Sequence, residues 1–279
     1  STKLKLDANS RISLSNNDSG TGNTIFGKNA GDNIVAGANF NVFIGELAGG
    51  TGTQTNASDY NVGVGYDALT ALTTGGDNTA IGGLAGNSLV GGYSNVLIGT
   101  NAGEELTSQS DNVLIGKDAG SGAMTGSSIT AIGAGAVAGA ATQAGTVAIG
   151  KTALAALTSG AGNVAIGYQA GAALTTGGGN IVLGYQALDV AVDCDNNVAI
   201  GNNAMGLVAG EVVDSCVAIG HSALQGTSAT DGDGTVAIGF NALTSLTTGA
   251  GNVSVGFRAG QAILTGASNT VIGYGAMDA

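Results

Sequence analysis

The 279 residues include 52 Gly and no Pro or Trp; 9% are charged against 43% hydrophobic, and the formal net charge is -12. Seven basic residues, three of them (Lys3, Lys5, Arg11) among the first eleven, cannot form the Lys/Arg cluster that neutralises phosphates, so nucleic acid is not an expected partner. The longest apolar run, 131–141, is mostly Ala and Gly and falls short of the roughly 18 residues that cross a bilayer, so no membrane insertion is expected.

Residues 1–22 lack the pattern that fills the rest of the chain. Leu4 with Leu6, and Ile12 with Leu14, alternate as short half-buried strands around the turn-like Asp7-Ala8-Asn9-Ser10. A capping or linking segment is expected here, because the end coil of a stacked array otherwise exposes open strand edges. No signal peptide is visible and the sequence starts at Ser1, which points to a processed product or a fragment.

From residue 23 one unit recurs fifteen times, marked by glycines from Gly27 to Gly273, with eight consecutive gaps of seventeen residues between Gly65 and Gly201. A fixed period of this size is the signature of a solenoid, so 23–279 is expected to be one elongated repeat body rather than two ordinary domains. Three residues before each marker stands a β-branched residue (Thr24, Val42, Val113, Ile181), and one before it a large apolar residue (Phe26, Ile44, Ile98, Leu183). Two such columns one position apart predict a β-strand with both side chains in the coil core. The position between them holds Ile25, Phe43, Leu97, Leu114, Val182, Val271 and many alanines, and never a charge. It is expected to face outward, as an uncharged stripe lying against another copy of the chain.

Four residues before the marker, eleven of the fifteen units carry Asn, which predicts a ladder of amide hydrogen bonds at the coil corner. Three after it, Ala is invariant from Ala30 to Ala276, which implies two backbones in close approach. The following residues, such as Leu69 and Leu72 before Thr73-Thr74-Gly75-Gly76, read as a second strand-like arm closed by a turn. A short helix is the competing reading, but Gly at Gly31, Gly103 and Gly171 costs about 1 kcal/mol each within a helix. The class is therefore all-β, a parallel β-solenoid of about fifteen 17-residue coils, roughly 70 Å long at about 4.8 Å per coil.

Longer gaps end at Gly45, Gly65, Gly220 and Gly239, and their extra residues, 51–58 and Asp231-Gly232-Asp233-Gly234 among them, are candidate ligand loops or tolerated surface variation. No nucleophile, base and orienting acid can be assembled, so no catalytic residue and no cofactor is expected. His221 reads as an exposed side chain after its marker, and acid pairs such as Asp193 with Asp195 are too sparse for a calcium loop, so no metal is expected. Cys194 and Cys216 lie one repeat apart at different column positions; two small buried residues and a disulfide both remain open.

Just after the marker stand Tyr66, Tyr168, Tyr185, Phe240, Phe257 and Tyr274. Tyr168 with Tyr185, and Phe240 with Phe257 and Tyr274, fall in successive coils and are expected to stack as ladders, either as packing at the coil edge or as a platform for sugar rings.

The pentads Asn163-Val164-Ala165-Ile166-Gly167 and Asn197-Val198-Ala199-Ile200-Gly201 resemble the head repeats of YadA-like trimeric autotransporter adhesins. The Lys3-Leu4-Lys5-Leu6-Asp7 run leading into Asn23-Thr24-Ile25-Phe26-Gly27 looks similar to phage tail-fibre and tailspike proteins with the same repeats. The resemblance covers residue 23 onward and implies a left-handed β-roll, a homotrimer and attachment to a cell-surface glycan or host receptor. Its period of seventeen departs from the shorter repeat usual in the adhesins, and no coiled-coil stalk or anchor barrel follows. In the phage proteins such fibres often end in a self-cleaving chaperone, which would account for a mature end at Ala279. The expected role is a non-enzymatic segment of a virion tail fibre or spike; a bacterial surface adhesin head is the alternative, and an extracellular repeat filament or ice-binding protein the weaker one.

Overall fold

The computed structural model describes residues 20–207, 213–226 and 232–278; the strand pairs expected within 1–22 and the end at Ala279 fall outside these, apart from 20–22. Among the described residues the chain is a parallel β-solenoid with no helix: fifteen strands of three residues each make about fourteen coils, one fewer than the marker count suggests. They form a single 15-stranded sheet in strict sequence order, from β1 (Thr24–Phe26) through β4 (Thr79–Ile81), β7 (Thr130–Ile132), β9 (Val164–Ile166) and β12 (Val217–Ile219) to β15 (Thr270–Ile272). Register holds across the longer gaps, with Val42 beside Val62 and Val198 beside Val217, so the extra residues are accommodated outside the strands.

The strand's inside and outside are the reverse of the expectation. The middle residue of each triad points into the coil: Ala80, Leu97, Leu114, Ala148, Ala165 and Val182 are fully buried. The flanking residues point out, with Ile81, Ile166 and Ile272 exposed at 41%, 38% and 70%. Val164 and Ile166 are therefore surface residues, and Ala165 is core rather than a subunit contact.

The reason is volume. Each coil interior is shared by the middle strand residue and the residue four after the marker, and in many coils these are matched in size. Phe43, Leu97 and Leu114 face Gly49, Gly103 and Gly120, where an added methyl would lie 2.7–2.9 Å from those side chains. Where the strand residue is small, as at Ala148, Ala218 and Ala237, the partner position holds Leu154, Leu224 or Leu243, all buried. Where both are small, at Ala165 and Gly171, Leu154 of the preceding coil fills the space, with its Cδ2 2.8 Å from a Cβ built at Gly171. A second interior column of Leu72, Leu89, Leu106, Leu157, Leu174 and Leu246, all buried, completes the core.

The second arm is neither the strand expected nor a helix. After each marker two turns follow, closed in one coil by Ala102 N–H to Gly99 O (3.2 Å) and Leu106 N–H to Gly103 O (3.1 Å). Positive φ at Asn101 (58°) and Gly103 (61°) interrupts any regular run, so neither helix nor strand propagates. The arm still stacks coil on coil through the backbone: Leu69 N–H donates to Ala85 O, Ala71 N–H to Asn87 O and Thr73 N–H to Val90 O.

The marker glycines are fixed by conformation and by space. Gly116 has φ 137°, and a Cβ there would meet the carbonyl carbon and oxygen of Gly133, the next marker, at 2.6 Å. The Asn column is a buried ladder: Asn95 N–H and Nδ2 donate to Asn78 Oδ1 (3.1 and 2.9 Å), Nδ2 also to Gln109 O (2.9 Å), and Asn112 repeats the pattern onto Asn95 Oδ1. These amides satisfy backbone groups that the narrow coil removes from water.

Candidate functional site

Three surfaces bear on function: the outer face of the sheet, the aromatic column after the markers, and the acid-containing turns. The first follows from the reversal of the strand. Its two outward columns, β-branched on one side and large apolar on the other, run through all fifteen strands without a charged residue. With about 4.8 Å between strands and two side chains per rung, the stripe is roughly 70 Å long and covers on the order of 700 Å². That exceeds the few hundred Å² of contiguous apolar surface usual on a monomer and approaches the roughly 800 Å² that one partner contributes to a standard interface.

The predicted aromatic pairs do stack. Tyr168 and Tyr185 have ring centroids 5.1 Å apart at 18°, Phe240 and Phe257 are 5.3 Å apart at 10°, and Phe257 and Tyr274 are 4.8 Å apart at 10°. His221 is exposed, as expected, and its ring also continues the second ladder at 5.1 Å from Phe240. The signal was available, since His221 occupies the same column one coil earlier. Arg258 places its guanidinium carbon 5.1 Å from the Phe257 centroid. Another pair, Phe40 with Tyr60 at 5.2 Å, lies just before the Asn column.

This stacking decides what the ladders can offer. Ring faces point along the solenoid axis and cover one another, so Phe240 and Phe257 present edges outward. Tyr274 ends this ladder among the described residues and is 83% exposed.

The acid-containing turns serve the stack. Asp195, Asp214 and Asp233 carboxylates each accept a backbone N–H from the coil before, from Gly178 (2.6 Å), Asp195 (2.7 Å) and Asp214 (2.8 Å). Asp231, the other acid of that candidate loop, lies outside the described residues. No group of three or more His, Cys, Asp or Glu converges among the described residues. The 51–58 loop packs onto its neighbours through Gln54 N–H to Asn33 O and Thr55 N–H to Thr73 O, with the Gln54 side chain buried.

No protein-family model matches this chain, and no curated protein matches it either. Cys194 and Cys216 are both buried thiols rather than halves of a bridge. Cys216 takes the place of an Asn in the ladder, its Sγ 3.1 Å from Gly232 O, and burial pushes its thiol up to about 11.

Proposed function

We propose that this chain is a non-enzymatic structural segment of a homotrimeric viral tail fibre or spike, displayed outside the cell and engaged in host-surface adhesion. The observation that carries the reading is the charge-free outer stripe, unbroken over fifteen strands on a chain of net charge -12. A surface that repeats every coil along its whole length is matched rung for rung by a partner with the same axial repeat, and another copy of the chain supplies one. Closed rotational symmetry is the usual outcome of such self-association, and three is the number that the resemblance to trimeric fibres and adhesins implies. The aromatic columns at Tyr168 and Tyr185, and at Phe240, Phe257 and Tyr274, are the candidate contacts with a cell-surface glycan.

Light scattering on the purified chain should give three times the monomer mass. Ile98→Glu with Ile115→Glu, on the outer columns, should yield a monomer that keeps its β-sheet circular dichroism. Leu97 and Leu114 point into the coil, so acidic substitution there should unfold the coil without reporting on an interface. A monomeric parent protein refutes the assembly. Glycan-array binding that is blind to alanine at Phe257 and Tyr274 removes the aromatic contact.

A further inference from the structure

We infer that Thr79 and Thr130 set the axial register in which copies of this chain pack stripe to stripe, a role that rests on the self-association proposed above. Near-identical rungs create a register problem. Two stripes displaced by one coil uncover a single rung and keep the rest, so aliphatic burial alone scarcely separates the aligned assembly from its displaced neighbours. A stripe made to specify one alignment needs groups that differ from rung to rung.

The β-branched outer column supplies them. It is Val or Ile in eleven strands and Thr in four, at Thr24, Thr79, Thr130 and Thr270, on β1, β4, β7 and β15. Thr matches Val in shape, so packing is unaffected and only a hydroxyl is added. The corner threonines spend that hydroxyl within the chain: Thr73, Thr158, Thr175 and Thr247 Oγ1 donate to the next coil's carbonyl at 2.7–3.1 Å. Thr79 and Thr130 form no such bond among the described residues, and both are half-buried in the single chain. Covering the stripe buries them, and a buried hydroxyl needs a partner.

In a parallel, aligned assembly each Thr79 meets the Thr79 of its neighbours, and every hydroxyl can donate to one and accept from another. A one-coil displacement sets Thr79 against the methyls of Val62 or Val96, and Thr130 against Val113 or Val147. Antiparallel packing about the middle strand sets Thr79 against Val217 of β12 and Thr130 against Val164 of β9. A three-coil displacement matches Thr24 with Thr79 and Thr79 with Thr130, but leaves Thr130 and Thr270 unmatched and uncovers three rungs. Polar residues in apolar coiled-coil seams fix register by the same logic.

The test co-expresses Val96→Cys and Val113→Cys chains, oxidises the assembly, and sorts the disulfides by mass spectrometry. Like-with-like bridges report aligned chains and 96–113 bridges report a one-coil displacement. In the parent background like-with-like bridges should dominate. In Thr79→Val/Thr130→Val the ratio should fall about tenfold for each buried hydroxyl that no longer discriminates, at unchanged assembly mass, and Thr79→Ser/Thr130→Ser should restore it. An unchanged ratio in the valine variant, with the mass retained, overturns the register role. A monomeric parent overturns the self-association itself, and the mass measurement tells the two failures apart.

Discussion

Replacing Gly116 by alanine puts a methyl 2.6 Å from the carbonyl carbon and oxygen of Gly133, at a φ of 137° that L-residues rarely adopt. The backbone conformation costs about 1–3 kcal/mol, and forcing a methyl into a packed contact adds about 1–3 kcal/mol, so a loss near 4 kcal/mol is expected. Gly273 isolates the first cost: its φ is 134°, but the nearest atom to an added Cβ among the described residues is Ala276 Cβ at 3.8 Å. Gly145→Ala controls for fraying at the end, being internal, at φ 78°, with nothing within 4 Å of the new methyl. Urea unfolding followed by far-UV circular dichroism, at one fixed protein concentration because assembly adds to apparent stability, should rank Gly116→Ala well above both. Equal losses at Gly116 and Gly273 would refute the claim that stacking of one marker on the next is what demands glycine.

Asn95→Leu should cost about 3–5 kcal/mol, because it leaves Gln109 O and the donors of Asn112 buried without their partner; the same urea experiment measures it. Thr146→Asn should stabilise by about 1–2 kcal/mol, since Thr146 Oγ1 is buried without a partner in the Asn column and an amide there would rejoin the ladder to Asn163; a loss in urea midpoint would contradict this. Burial raises the Cys216 thiol from 9.0 to about 11. The folded state therefore holds this proton more tightly than the unfolded chain, so the contribution is intact below pH 9 and is lost as pH rises toward 11, by up to about 2–3 kcal/mol. Cys216→Asn should flatten the fall in stability between pH 9 and 11 relative to the parent.

The solenoid, its strands and the Asn ladder were legible in the sequence because each is written as a column, and a column of Asn or of glycine has few physical causes. The facing of the strand was misread for a definable reason. In a three-residue strand, alternation shows that Val164 and Ile166 share a side but not which side, and hydrophobicity assigned them inward by default. The deciding signal lay six residues further on, in the reciprocal sizes of Phe43 with Gly49, Leu97 with Gly103 and Ala148 with Leu154. Only residues sharing a closed space trade volume in this way. The second arm was misread because its turns alternate backbone handedness at positions such as Asp67 and Leu69, at φ 56° and 53°, which an apolar pattern does not reveal for a leucine. Stacking of Tyr168 on Tyr185 was readable from the period, whereas the turning of ring faces along the axis depends on side-chain orientation, which the period does not carry.

The coil-to-coil bonding of every column also bears on how such a chain changes length. Removing residues 100–116 would join Gly99 to Lys117 and leave the Asn, marker and Ala columns continuous, with one rung fewer in each. Stability in stacked repeats is close to a sum of unit and nearest-neighbour terms, so a lost or duplicated coil shifts the total by one increment and creates no new kind of contact. Reach then becomes adjustable in steps of about 4.8 Å, and unequal exchange between repeats could lengthen or shorten the structure without passing through an unfolded intermediate design.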